Sequence, residues 1–220
     1  MFTIGIDNMD AVVQADKYYD QAMWTYDDYD KQIELFDQVI SLNLQAAEQA
    51  DTEEEQLLRI GNARHAEANK YAALANKLAV KANESEKTDA LNYLKDALKK
   101  RLSSNSLIKE AAEIAKELED MALYYNRLGM SYEDEAFYHY IIAWKSKLIN
   151  NWNDALKGYK KSYELLLTAI EYYTKSLHLK FNRHVENNRV QCRKYLIDCR
   201  EDISTSKMKI TIRRSNGTLG

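Results

Sequence analysis

The side chains that most often perform chemistry are few in this chain of 220 residues, and their spacing forms no recognisable reactive set. The four histidines are His65, His139, His178 and His184. None has the spacing of a metal site, and the Glu-x-x-His element of di-iron helical bundles occurs nowhere. We therefore expect structural or solvent-exposed histidines, no metal ligand and no catalytic residue.

The two cysteines also fail to suggest a reactive or cross-linked site. Cys192 and Cys199 lie seven residues apart on one predicted helix, a rise of about 10 Å, which is too long for a disulfide between them. We expect buried free thiols in a reducing compartment. The six glycines never take the spacing of a phosphate-binding loop, so no cofactor is predicted.

The sequence contains no predicted export signal and no predicted membrane span. Residues Met1 to Ile6 are apolar but too few for a signal core. The longest nearly apolar stretch, Phe137 to Trp144, is far shorter than a bilayer requires. Together with the free thiols, these features favour a cytoplasmic protein without a transmembrane segment.

Charge is distributed unevenly along the chain, although the net charge is only −3. Residues 1–58 carry fourteen Asp and Glu against two Lys and Arg, whereas residues 175–220 carry eleven Lys and Arg against four Asp and Glu. The simplest interpretation is solvated helix faces with an attraction between acidic and basic ends, so an oligomer is possible. Nucleic-acid binding is not expected, because acids interrupt the basic residues and no recognition motif accompanies them.

The elements that must position these residues are predicted to be helices. The chain has no proline and few glycines, and Ala, Leu, Lys, Glu and Gln favour helix intrinsically. Apolar residues recur at three- and four-residue spacing, and Thr52 with Glu55 matches a capping box. The sequence therefore predicts an all-α fold, either one antiparallel helical bundle or three-helix bundles in tandem.

Breaks in the pattern predict an organisation into units. The polar run Ser103–Ser106 is predicted to be a loop, and Gly129 to end a helix. We expect two helical units over 7–75 and 76–129, and a three-helix unit over 131–204. A flexible basic tail over 205–220 is predicted because apolar and polar residues alternate from Met208 without a partner strand.

One recurring pattern resembles the tetratricopeptide repeat. A small residue, an aromatic residue or Leu four positions later, and a small residue three positions further recur at Ala90-Leu94-Ala97, Ala136-Tyr140-Ala143, Ala155-Tyr159-Ser162 and Ala169-Tyr173-Ser176. This is similar to the family's second helix, and Leu128–Tyr132 resembles its first-helix signature. The 34-residue period of such arrays is missing, so a repeat-like scaffold is an alternative.

Residues 135–204 are more similar to the MIT domain, the three-helix module of vesicle-trafficking and ESCRT-associated proteins. Glu135 to Asn150 resembles its first helix. The run Asn151-Trp152-Asn153-Asp154-Ala155-Leu156, followed by Tyr159, Tyr163, Leu166 and Ala169-Ile170, resembles the second. Cys192-Arg193-Lys194-Tyr195-Leu196, with Glu201, resembles the third.

The resemblance implies a non-enzymatic adaptor that binds an amphipathic helix or an extended peptide of a partner protein between paired helices. The partner-binding residues expected from it are Tyr159, Tyr163, Leu166, Tyr195 and Cys199. Two alternatives are a structural helical oligomer and, from a different class, an enzyme or metal-binding bundle, for which the sequence offers no ligand set.

Overall fold

A computed structural model describes residues 8–25 and 28–217 of the chain, and they form α-helices joined by short loops. The helices are α1 (Asn8–Trp24), α2 (Tyr29–Glu48), α3 (Glu53–Asn83), α4 (Lys87–Glu117), α5 (Met121–Leu148), α6 (Trp152–Leu179) and α7 (Arg183–Gly217). The described residues include no strand, which confirms the predicted all-α class.

Short polar side chains fix where five of these helices begin. Each accepts a hydrogen bond from a backbone N–H in the first turn, which satisfies a donor that the helix cannot pair internally. At α7 the Asn182 side-chain oxygen accepts from the Val185 N–H at 3.2 Å, and the other four helices follow the same pattern. Their capping residues are Asp28, Thr52, Asp120 and Asn151. The predicted Thr52 cap is thereby confirmed, with Glu55 N–H donating to its hydroxyl at 3.1 Å.

Helices that follow each other in sequence pack against each other in space. From α2 onwards the loops contain only three or four residues, so neighbouring helices run antiparallel. The buried faces are rich in alanine, especially on α3 and α4, which lets the backbones approach closely. The result is an ordered antiparallel stack, as the bundle prediction anticipated.

The stack curves until its first and last helices meet. The His184 ring on α7 lies 2.9 Å from the Asp20 carboxylate on α1. One residue earlier, the guanidinium of Arg183 lies over the Trp24 ring, 5.1 Å from its centroid. This curvature gives the molecule a concave side, enclosed between α1 to α3 on one wall and α7 on the other.

The helices are longer than the predicted units allowed. The expected boundary at 75/76 lies inside α3, and the one at 129–131 lies inside α5. Residues Ser103–Ser106 are helical within α4, because Ser104 is buried and donates to the Ala68 carbonyl at 2.8 Å. Gly129 lies within α5, where any Cβ would meet the Tyr173 ring at 2.6 Å.

The segment after Ile203 also differs from the prediction. It continues as helix α7 to Gly217, whereas a flexible tail was expected over 205–220; residues 218–220 lie outside the described residues. Ser206 is buried and the Arg213 guanidinium donates to the Asn150 carbonyl at 3.2 Å, so the helix still contacts the bundle there. Among the described residues, no helix combines the length and apolar character that crossing a bilayer requires.

Candidate functional site

A cavity of about 660 Å³ lies on the concave side of the stack. Residues of α1, α2, α3, α5 and α7 line it. Its volume falls within the usual range for binding pockets. The lining is neither purely apolar nor strongly charged. Neutral amide side chains are the most numerous polar residues in it: Gln32, Asn69, Asn76, Asn187, Asn188 and Gln191.

The amides on one wall come from a regular row on α3. Asn62, Asn69 and Asn76 are spaced by seven residues, which is close to two helical turns, so they share one face and lie about 10 Å apart. Asn69 and Asn76 line the large cavity, and Asn62 lines a neighbouring cavity of about 190 Å³. The asparagine row therefore runs along both cavities.

Side chains from neighbouring helices hold each of these amides by one end. The Asn62 carbonyl oxygen accepts from the Arg127 guanidinium at 2.9 Å, and the Asn69 amino group donates to the Tyr19 hydroxyl at 3.3 Å. The Asn76 carbonyl oxygen accepts from Arg101. An amide group has both a donor and an acceptor end, so each side chain is oriented while its other end makes no hydrogen bond to the described residues.

The two arginines that orient this row are themselves buried. Arg127 is fully buried and donates to the Ala111 carbonyl at 2.6 Å, and burial lowers its pKa to about 10. Arg101 donates to Asp134 at 2.6 Å. Burial raises the pKa of Asp134, and Arg101 opposes that rise. These interactions behind the wall give the asparagine row a fixed geometry.

Helix α7 supplies the opposite wall. Asn187, Asn188 and Gln191 are half-buried there, and Lys194 is exposed at the rim. Aromatic rings from three helices complete the lining: Trp24, Tyr29, Phe36 and Tyr195. The cavity therefore presents amide groups on two facing helices with flat apolar surfaces between them.

Glu133 on α5 is the one described lining residue that carries a carboxylate. Its carboxyl group accepts a hydrogen bond from the buried Tyr173 hydroxyl at 2.6 Å. Burial is the main reason that the pKa of Glu133 rises to about 7, with the neighbouring Asp134 acting in the same direction. The group is therefore close to half-ionised at neutral pH.

The smaller cavity adjoins the first at His184, which lines both. His65 also lines it and is buried; its ring lies 3.4 Å from the Tyr19 hydroxyl and 3.1 Å from the Met130 sulfur. Burial lowers the pKa of His65 to about 3, so it stays neutral. The side-chain oxygen of Asn126 (Oδ1) is buried there without a hydrogen-bond partner among the described residues.

The residues expected to bind a partner lie elsewhere, at the contact of α6 with α7. Tyr159, Leu166 and Cys199 are buried there, where burial raises the pKa of the Cys199 thiol. Leu166, Tyr195 and Cys199 come together around a cavity of about 120 Å³. Tyr163 does not line it; its hydroxyl accepts from Arg200 at 2.8 Å at the surface.

Tyr195 is the one residue of the expected site that also lines the large cavity. The sequence analysis missed the other residues of that cavity. One signal was available, since Asn62, Asn69 and Asn76 share a seven-residue spacing on a predicted helix. Asn187 and Asn188 follow the last loop by only a few residues, in a polar stretch that offers no such periodicity.

Comparison with models of protein families, with curated proteins and with solved structures finds no match for this chain.

Proposed function

We propose that this protein is a non-enzymatic helical scaffold that binds an extended segment of a partner polypeptide in the amide-lined cavity. The observation that carries the proposal is that Asn69 and Asn76 of the asparagine row on α3 and the amides of α7 line the same cavity, which has a volume of about 660 Å³. An extended chain leaves its backbone N–H and C=O groups unpaired, and an amide side chain can bond to both.

The spacing of the row suits a polypeptide. Asn62, Asn69 and Asn76 lie about 10 Å apart along α3, and an extended chain covers that distance in about three residues. A peptide that follows α3 therefore meets an asparagine amide about every third residue. Trp24, Tyr29 and Tyr195 offer flat surfaces for its side chains. Peptide binding by a groove is also what the MIT resemblance implies, although at another surface.

The proposal favours the concave cavity over the groove between α6 and α7. That groove encloses only about 120 Å³, which is below the usual volume of a binding pocket. Its expected residues Tyr159, Leu166 and Cys199 already serve as core. A nucleic acid is a poor match for the concave cavity, because phosphate recognition needs clustered cations and Lys194 is the one Lys or Arg among the described lining residues.

The test begins with a displayed library of random peptides of about twelve residues, which when extended are roughly as long as α3. Peptides are selected on the full chain, and the affinity of a synthetic selected peptide is measured by fluorescence anisotropy. Ala72→Trp, which fills the cavity from α3, is expected to weaken binding at least about tenfold, or ~1.4 kcal/mol.

Two control variants make the result specific. Leu102→Trp adds the same ring at an exposed position of α4 outside the described lining of the cavity and should leave affinity unchanged. Tyr163→Ala should also leave it unchanged, whereas a partner held between α6 and α7 would lose affinity. The proposal is overturned if Ala72→Trp keeps the circular dichroism of the parent and binds the peptide as tightly. It is also overturned if selection on the parent chain enriches no peptide more than a parallel selection on Ala72→Trp does.

A further inference from the structure

Glu133 is half-buried and differs from the buried Asp134 beside it in having no cation of its own. Asp134 lies next to it in sequence and pairs with Arg101 at 2.6 Å. Among the described residues, Glu133 forms no ion pair; the groups that donate hydrogen bonds to it are the Tyr173 hydroxyl and the Cys192 thiol, both neutral. Its carboxyl group is therefore anchored in orientation but not compensated in charge.

The position of Glu133 makes this difference consequential for a ligand. It lies on α5 in the wall of the amide-lined cavity, with Asn69 and Asn76 of α3 on one side and Gln191 and Tyr195 of α7 on the other. A peptide that fills the cavity removes water from this carboxyl group. An ionised carboxylate that loses water without gaining a partner is strongly disfavoured, so a peptide bound against ionised Glu133 must bring a cation, and without one the carboxyl group takes up a proton from solvent.

The remaining charges near the cavity do not supply that cation. Lys194 is exposed at the rim and lies outside ion-pair distance of Glu133, and His184 is 2.9 Å from Asp20. Arg101 influences Glu133 but is bound to Asp134 and Asn76. The ionised Glu133 carboxylate therefore lacks a positive partner among the described residues, and a ligand in the cavity can provide one.

We infer that Glu133 is a specificity-determining residue that receives the ammonium or guanidinium group of a Lys or Arg side chain of the bound peptide. This inference rests on the proposed function, because it assigns chemistry to the same cavity. Burial and Asp134 raise the pKa of Glu133 to about 7, whereas Tyr173, Arg101 and Cys192 oppose that rise. A cation in the cavity would favour the ionised form and lower the pKa of this carboxyl group.

A consequence is that binding strengthens as pH rises. Lys and Arg side chains of a free peptide keep their charge up to about pH 10, so the peptide's own cation does not change between about pH 6 and pH 8. Between about pH 6 and pH 8 the Glu133 carboxyl group goes from mostly protonated to mostly ionised. The pH profile of a Glu133 variant is the control that assigns the pH dependence to this carboxyl group.

The experiment compares the parent chain with Glu133→Gln and with Glu135→Gln, a matched change two residues away on α5 that is outside the described lining of the cavity. A selected peptide with an acetylated N-terminus is titrated against each, with and without replacement of its Lys or Arg by norleucine. Acetylation excludes the terminal amino group as the cation. The parent and Glu135→Gln should lose about tenfold in affinity on this replacement, whereas Glu133→Gln should lose less than about twofold.

The pH series gives a second readout. Affinity of the parent should rise between pH 6 and pH 8, and that of Glu133→Gln should not follow it. Selected peptides without Lys or Arg, or an equal loss in parent and Glu133→Gln, would overturn the inference while leaving peptide binding intact. Failure of every peptide to bind in the cavity would instead refute the proposed function itself.

Discussion

The contact between α5 and α6 and the contact between α1 and α7 are built in opposite ways. In the first, Gly158 brings α6 so close to α5 that a Cβ there would meet the Ala143 Cβ at 2.8 Å. In the second, the helices touch through long polar and aromatic side chains such as His184 and Trp24 and leave a cavity beside them. Small residues draw helices together, whereas large polar residues hold them apart.

The difference suggests that stability and binding reside in different parts of the molecule. Close packing at α5–α6 buries Tyr159, Leu166 and Tyr173, and such burial is the main source of folding free energy. At the α1–α7 junction the contacting Asp20 and Trp24 side chains stay exposed, and amide groups of the neighbouring cavity are open to a ligand. Substitutions in the first region should therefore change the free energy of unfolding, and those in the second should change affinity.

The largest effect on stability is expected for Arg101→Leu. Removal of one member of a buried ion pair leaves Asp134 without a counter-charge, at a cost of about 3–5 kcal/mol. The free energy of unfolding is measured by urea denaturation. Lys99→Leu is the matched control, because its pair with Asp96 is exposed and should change stability by less than about 1 kcal/mol. Similar effects of the two changes would contradict the described burial.

A comparable loss is expected in the packed region for Leu166→Ala. Leu166 is 2% exposed, so truncation should cost about 2–5 kcal/mol through lost burial and the space left behind. Leu167 is the adjacent residue, 47% exposed, and Leu167→Ala should change the denaturation midpoint little. If both variants unfold at the parent's midpoint, this face of α6 has been assigned wrongly.

A smaller loss is expected for Gly158→Ala. Alanine favours an ordinary helix interior by roughly 0.5–1 kcal/mol over glycine, but the added Cβ would also lie 3.0 Å from the His139 carbonyl oxygen. Forcing α5 and α6 apart should cost about 1–3 kcal/mol in thermal or urea unfolding. Lys157→Ala, at an exposed neighbouring position, serves as control; a stabilised Gly158→Ala would show that the helices can separate freely.

The smallest change in stability is expected for His184→Ala at the α1–α7 junction. The Asp20 carboxylate that it contacts is 65% exposed, so the loss should stay below about 1 kcal/mol. Because His184 lines both cavities, affinity for a selected peptide should fall more than stability does. A large drop in melting temperature with unchanged affinity would contradict the claim that the α1–α7 junction serves binding rather than stability.

Much of the fold could be predicted from the sequence, because helix propensity and apolar periodicity act locally. The misplaced breaks have tertiary causes. Ser104 and its neighbours look like a loop, yet Ser104 finds buried partners in Ala68 and Asp134. Gly129 looks like a helix end, yet it lies within α5, and a glycine stands there because the Tyr173 ring occupies the space of a Cβ. Neither partner is close in sequence.

The candidate site could be predicted far less well. The spacing of Asn62, Asn69 and Asn76 is visible in the sequence, but nothing local indicates that α7 faces this row. That arrangement depends on the curvature accumulated over the whole stack. The aromatic and apolar residues of α6 attracted attention instead, and Tyr159 and Leu166 are buried in the core.

Photo-cross-linking tests the central claim most directly, because it locates the bound peptide on the intact protein. A selected peptide carrying a benzoylphenylalanine is irradiated with the full chain, and the attachment points are mapped by mass spectrometry. The account predicts attachment to cavity residues of α3 and α7, such as those around Asn69, Asn76 and Gln191, and its loss in Ala72→Trp. Attachment confined to the surface around Tyr163 and Arg200, unaffected by Ala72→Trp, would contradict it.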